Sequence, residues 1–294
     1  MNNHFFDHSV LDNIGKEVQL HNQVSNVKSS AASCINVLGN LGKKENMDDL
    51  ITFLNSFGLN VTSIIPFPTG VKVSEEKYND IGNVVFEWIG PKKSPINEIG
   101  GKRGQNRTSI DAYVLAEIDG KITQIFIEWK FTETYHREGS LHMFSGGKGI
   151  ERLARYSNIL AEWRRKKEVP FKINDNDILG LYDFGYEPFY QLFRMTLLAK
   201  RTTPLPLTNK INIEDYRILH LTHSKNIQLN KLCQNHIKYS PGLLAFKDEE
   251  IHAVWKDQIL TLEEAEKFAW GYWDEAVHHI KSGNLKSYLI ERYC

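Results

Sequence analysis

Hydrophobic and polar positions along the chain predict a helix, strand and helix order. Residues 29–41, SSAASCINVLGNL, open on paired serines and run apolar to a stop near Gly42, a helix pattern. In residues 46–57 Asn46 is a cap candidate, and Met47, Leu50, Phe53, Leu54 and Phe57 recur at helical spacing before Gly58. Short apolar runs near 61–66 and 83–89 predict strands. Residues 109–133 alternate, are rich in β-branched and aromatic residues, and fold at Asp119-Gly120. That dipeptide is the strongest short hairpin signal, because a type I′ turn needs positive φ at both positions. An amphipathic helix is predicted over 149–167, a strand over 177–184, and a helix over 187–201 with Pro188 in its first turn. Residues 216–222, YRILHLT, predict a strand, and 261–281 a helix opened by a Thr261–Glu264 capping box. Residues 1–28 are polar and predict at most one docking helix. The class is mixed α/β, a central sheet covered by helices.

The turn fixes the hairpin register, and the register raises a question of charge. With Asp119-Gly120 central, Tyr113 faces Phe126, Val114 faces Ile125, Asp111 faces Glu128 and Ser109 faces Lys130. Directly opposed residues share a face, and so do Glu128 and Lys130 through the two-residue period of a strand. Asp111, Glu128 and Lys130 therefore fall in one patch, with the two carboxylates opposed. Like charges so placed cost a few tenths to about 1 kcal/mol. Either Lys130 offsets that cost as a counter-ion, or a divalent cation sits between the carboxylates. Mg²⁺ takes oxygen ligands and needs only one or two carboxylates plus water and phosphate. The plain alternative is a solvent-facing strand end.

Composition narrows the setting. The 294 residues suffice for one large domain, and 41% hydrophobic with 24% charged residues is a soluble globular balance. No apolar run is long enough for a membrane helix, and the N-terminus has no signal-peptide pattern. Three widely spaced cysteines, Cys34, Cys233 and Cys294, fit a reducing, cytoplasmic setting. The 36 basic residues balance 36 acidic ones, which excludes blanket binding to nucleic acid but not a local basic cleft. Basic residues do cluster: Lys92, Lys93, Lys102, Arg103 and Arg107 stand against Glu98 alone in 92–107, and eight against three in 148–172. The glycine-rich loops GGKRGQNR (100–107) and SGGKG (145–149) flank the charged patch, and backbone N–H groups with Lys102, Arg103, Arg107 and Lys148 suit phosphate contacts. As ordinary turns they need no function.

In S-I-Asp111 followed by I-Glu128-W-Lys130 the chain resembles the PD-(D/E)xK superfamily, the restriction-endonuclease-like nucleases. Ile110 replaces the proline of the signature. Arg152-x-x-x-Tyr156 is similar to the Q-x-x-x-Y of RecB-like members, with Arg in place of Gln. The phrases SSAASCINVLGNL, EIGGKRGQNRTSIDA and EPFYQLFRMTLLA look like those of a poorly characterised branch of predicted nucleases. The resemblance covers roughly 29–223. It implies an α-β-β-β-α-β mixed-sheet core, with 1–28 as an N-terminal extension and 224–294 as a helical C-terminal addition to a single domain. It further implies Asp111 and Glu128 as ligands of Mg²⁺ or Mn²⁺, with Lys130 holding the attacking water. A backbone carbonyl, here that of Trp129, is a common third ligand. An upstream acid often completes the set, Glu98 being preferred here to Glu87. Lys102, Arg103, Arg107, Lys148, Arg152 and Tyr156 would contact nucleic acid, with Gln191 and Arg194, at i and i+3 on one helix face, in support. The implied activity is metal-dependent hydrolysis of phosphodiesters, in DNA above all. Members often work as dimers, so a homodimer is one expectation. The competing expectation is a silent nuclease fold that binds nucleic acid or a protein without cutting. A zinc site from His220, His223, Cys233 and His236 is disfavoured, since i and i+3 on a strand face opposite ways. No G-x-S-x-G supports a serine hydrolase.

Overall fold

The computed structural model describes residues 5–11, 26, 28–67, 82–91, 93–99, 107–134, 142–173, 179–232 and 240–294. Its long helices are α1 (Ser30–Leu41), α2 (Met47–Asn55), α3 (Gly146–Lys166), α4 (Phe189–Arg201) and a C-terminal helix (Gly283–Tyr293). Its strands are β1 (Val61–Ile64), β2 (Val85–Trp88), β3 (Ile110–Ile118), β4 (Lys121–Trp129), β5 (Leu205–Pro206), β6 (Asn212–Ile213), β7 (Asp215–Thr222) and β8 (Phe268–Tyr272). The main sheet has six strands in the order β1-β3-β4-β7-β8, with β2 also pairing β3. Pairing is antiparallel from β1 and β2 through β3 to β4, then parallel from β4 to β7 and β7 to β8. This is the mixed sheet flanked by helices that the core pattern implies.

The hairpin is built as its turn requires. Asp119 and Gly120 take φ 53° and 75°. Ala112 pairs with Ile127, Tyr113 with Phe126 and Val114 with Ile125. Both hairpin strands are buried for most of their length, because helices cover both faces of the sheet. Trp88 stacks flat on Tyr113 at 4.8 Å, and Phe126 closes on both rings. Gln124, buried in β4, accepts from Tyr113 Oη at 3.2 Å and donates to the Thr202 carbonyl at 3.1 Å, so a carbonyl beyond the last turn of α4 is satisfied by the sheet.

Two predicted elements differ. Over 179–185 the chain makes a 3₁₀ turn, Leu181–Gly185, and not a strand; the first part of 177–184 lies outside the described residues. Gly185 is packed so closely on the His142 ring that a Cβ would sit 2.1 Å from it, which fixes the segment there. Over 261–281 the helix stops at Glu266, and Phe268–Tyr272 joins the sheet parallel to β7. The capping box does not form, for Thr261 makes no side-chain cap. Glu264 instead accepts from the part-buried Lys200 Nζ at 2.8 Å and from the buried Tyr216 hydroxyl, which draw it inward. The C-terminal part thus adds a strand as well as helices. Among the described residues of 1–28 there is only a 3₁₀ turn, His8–Leu11, pinned by Phe6 N donating to Asn36 Oδ1 at 3.0 Å. No helix of the described residues is long and apolar enough to cross a membrane.

His220 lies in β7 beside Glu128 and donates to or accepts from His252 at 3.0 Å, and His252 stacks on Trp270 at 4.4 Å. His223 points the other way, bonded to the Tyr293 carbonyl at 2.8 Å. Cys233 and His236 lie outside the described residues. Burial holds the His252 pKa down at about 3 and pushes His220 well below its usual value, helped by His252 and Lys130. A group with a lowered folded pKa and a basic charged form contributes stability above the unfolded value near 6.5 and loses it as pH falls. At pH 5 the His252 ring is expected to cost about 2 kcal/mol, and His220 acts in the same direction. Urea unfolding of His252→Gln should show a flatter loss between pH 7 and 5 than the natural chain; an equal slope would count against this pairing.

Candidate active site

The three charged residues come together where β3 and β4 splay apart. Asp111 is the second residue of β3, Glu128 the last but one of β4, and Lys130 follows directly. Asp111 Oδ2 accepts from the Trp129 backbone N–H at 2.8 Å. A side chain thus takes the donor that the next rung of the ladder would use. Glu128 Oε1 accepts from Lys130 Nζ at 2.6 Å, and both side chains are almost fully buried. Their backbone is clamped: Lys130 N donates to the Leu221 carbonyl at 2.8 Å, and Trp273 Nε1 donates to the Lys130 carbonyl at 3.0 Å. Trp129 stacks on Trp273 and donates its indole N–H to Ser33 of α1 at 2.9 Å.

Electrostatics follow from that burial. Desolvation, and after it the Glu128 charge, pushes the Asp111 carboxyl up to about 7. Burial also raises Glu128, against the pull of Lys130. The pair is therefore short of positive charge, with one ammonium facing two carboxylates. A third acid acts on it that sequence reasoning missed. Glu187, just before α4, is itself raised by burial, while Arg194 and Lys130 lower it, and its charge raises Glu128. Its only sequence signal was its place in the EPFYQLFR phrase.

A cavity of about 360 Å³ opens on Asp111 and Glu128, and Lys148, Arg152, Arg155, Gln191 and Arg194 share its wall. On α3 the cationic residues fall at i, i+4 and i+7, one helix face. Arg155 was not among the residues that sequence reasoning picked, although that spacing from Lys148 and Arg152 marks it. Arg152 donates to the Met143 carbonyl at 2.8 Å, and Arg194 lies over the Tyr190 ring at 4.5 Å. Gly149 lies in the first turn of α3, where a Cβ would meet the Phe144 carbonyl at 2.3 Å. Close packing therefore accounts for that glycine of the SGGKG stretch.

The remaining candidates divide. Glu98 lines the cavity, but both its oxygens accept from Thr108, at 2.7 Å from the backbone and 2.8 Å from the hydroxyl. The Tyr156 hydroxyl adds a bond to Glu98 at 3.2 Å, so Tyr156 is a buried support and not part of the cavity wall. Glu87 accepts from Ser109 at 2.6 Å and sits at φ 55°, a left-handed backbone uncommon outside glycine. Pairing of Phe86 with Ala112 and Trp88 with Ile110 sets it across from Asp111. Arg107 lines the cavity and is held there by its guanidinium, which donates to the carbonyls of Ile89 at 3.0 Å, Gly90 at 3.4 Å and Pro91. Lys102 and Arg103 lie outside the described residues. Among the described residues no three His, Cys, Asp or Glu side chains gather into a metal-binding group.

A mixed sheet flanked by helices fits the restriction-endonuclease-like core. The chain belongs to the family described as "Restriction Endonuclease associating with ARP", whose model matches residues 3–294. No curated protein and no solved structure matches it at a significant level.

Proposed function

We propose that the protein is a metal-dependent phosphodiesterase that hydrolyses nucleic acid, with DNA as the substrate. The observation that carries this is the half-buried Asp111 beside the buried Glu128, a charge-deficient pair facing a cationic wall across one cavity. A binding module gains nothing from opposing two carboxylates where an anionic backbone must lie.

The donor set fits Mg²⁺ or Mn²⁺. Two carboxylates, with the Trp129 carbonyl as a third donor, water and a substrate phosphate, suffice for a hard cation that keeps much of its hydration. When bound, the ion lowers the pKa of its water and polarises the phosphoryl oxygen. Asp111 and Glu128 hold the site's negative charge. Lys130, 2.6 Å from Glu128 and bordering the cavity on the other side of Asp111, would supply positive charge to the attacking water and to the phosphorus oxygens. Lys148, Arg152 and Arg155 hold the strand by its phosphates without reading bases. Arg194 stays charged between Tyr190, Tyr156, Glu98 and Glu187 and adds a guanidinium to the wall. The family description names an associating component, ARP, and partnership of this chain with it belongs to the same reading.

Calorimetric titration with Mg²⁺ and Mn²⁺ tests the metal directly. Binding is expected in the natural chain, and Asp111→Ala is expected to weaken it at least ten-fold. Equal heats in the two would overturn the assignment.

A further inference from the structure

Asp111 is a wall between two cavities. Behind it lies a second, of about 410 Å³, bordered by Lys28, Ser29, Ser30, Asp111, Lys130 and Thr132 among others. A third, of about 540 Å³, is lined by Lys28, Phe131, Tyr288, Glu291 and Arg292. Asp111 belongs to the first two and Lys28 to the last two, so the three adjoin in sequence.

The connecting segment is firmly built. Phe131 N donates to Ser30 Oγ at 3.0 Å and to Glu133 Oε2 at 2.8 Å. Thr132 Oγ1 donates to the Lys28 carbonyl at 2.8 Å. Asn226 Nδ2 donates to the carbonyls of Phe131 at 3.0 Å and Glu133 at 2.9 Å. Lys28 is exposed at the junction. Phe131 packs edge-on against Trp273 and Tyr293, has the His223 ring tilted against it at 5.2 Å, and remains part-exposed toward the third cavity. Arg292 lies over Tyr288 at 5.9 Å and over Tyr293 at 5.4 Å; the Tyr288 ring also meets Phe6 at 5.3 Å and its hydroxyl accepts from Asn36 at 3.3 Å, while the residue stays part-exposed. Glu133 and Glu291 are the acids of this region. Glu133 is engaged by the Phe131 N–H, so it does not face the path with both oxygens open.

Cations interleaved with aromatic rings along a groove are the chemistry that holds an unpaired strand: phosphates meet the cations and bare base faces stack on the rings. Bases in a duplex already stack on one another and offer no such faces. We propose that Lys28, Phe131, Tyr288 and Arg292 form a subsite for an unpaired nucleic-acid strand, holding the nucleotides beyond the phosphodiester seated at Asp111. This rests on the phosphodiesterase reading above. The strand runs from the cationic wall of α3, past Asp111, and along the C-terminal helix.

The test uses the full chain carrying Glu128→Gln, so that nothing is cut, and a fluorescein-labelled twelve-nucleotide oligothymidine in an anisotropy titration. A twelve-base-pair duplex is titrated alongside. The parent is expected to bind the single strand more tightly than the duplex. Adding Lys28→Glu and Arg292→Glu is expected to weaken single-strand binding at least ten-fold, with the milder Lys28→Gln and Arg292→Gln pair intermediate and both melting like the parent. Single-strand binding within two-fold of the parent in the well-folded charge-reversed protein overturns the subsite while the phosphodiesterase reading stands. Preference for duplex overturns the choice of an unpaired strand. No binding of either probe by the parent overturns the subsite and the nucleic-acid reading together.

Discussion

Asp111→Asn is expected to cut cleavage steeply and at the same time to make the protein more stable above pH 7. The Asp111 carboxyl is pushed up to about 7, first by burial and then by Glu128. Its folded pKa lies above the unfolded value near 4, so the folded state keeps a proton that the unfolded chain has lost. Stability from this group is complete at low pH and is lost as pH rises through 7. Asparagine carries no charge at any pH and retains an oxygen for the Trp129 N–H, which Asp111 accepts at 2.8 Å. The expected gain at pH 8 in EDTA is about 1–3 kcal/mol, less than the full shift implies because the cavity admits water. At pH 5 the gain shrinks. Cleavage should fall on the order of 10³-fold, as losses of a preorganised electrostatic group do. Denaturant unfolding at the two pH values and a nuclease assay check both halves. A variant less stable than the natural chain at pH 8 would mean that the opposed carboxylates carry no strain.

Lys130→Met is expected to change stability in the other direction. Glu128 is 3% exposed and Lys130 5%, and their charges meet at 2.6 Å. Removing the ammonium leaves a buried carboxylate unpaired, which typically costs about 3–5 kcal/mol. The loss should be largest at pH 8. Burial already raises Glu128 and Lys130 opposes that rise, so without Lys130 the carboxyl holds its proton to higher pH. Below that point it is neutral, and the deficit at pH 5 should be smaller. Adding Glu128→Gln should restore much of the stability and none of the activity, a coupling that a double-mutant cycle measures. Losses that simply add would mean that the two side chains do not act as a pair.

The central hairpin could be read from sequence because its determinants are local. Asp119-Gly120 sets the turn, the turn sets the register, and the register brings Asp111 and Glu128 to one end of two strands. What stayed hidden was decided by partners far along the chain. Phe268–Tyr272 has helical spacing on both sides, yet β7 offers a parallel edge. Leu219 pairs there with Ala269, and the close approach of the Phe57 ring leaves room only for Gly271. Arg107 lines the cavity, as its neighbours in GGKRGQNR suggested, but its guanidinium is also tied to three carbonyls of 89–91, which no spacing foretold. Tyr156, expected among the nucleic-acid contacts, is buried and donates to Glu98 from the interior. Glu187 reaches the Glu128–Lys130 pair across a fold that brings the start of α4 to the end of β4, a proximity with no trace in sequence spacing.

The central claim is that Asp111, Glu128 and Lys130 form a working hydrolytic centre. The most direct test is cleavage of supercoiled plasmid and of single-stranded DNA by the natural chain and by Glu128→Ala, each with Mg²⁺, with Mn²⁺ and with EDTA. The account predicts cutting by the natural chain with either metal, none in EDTA, and none by Glu128→Ala under any condition. Cutting that survives in Glu128→Ala, or proceeds in EDTA, would contradict it.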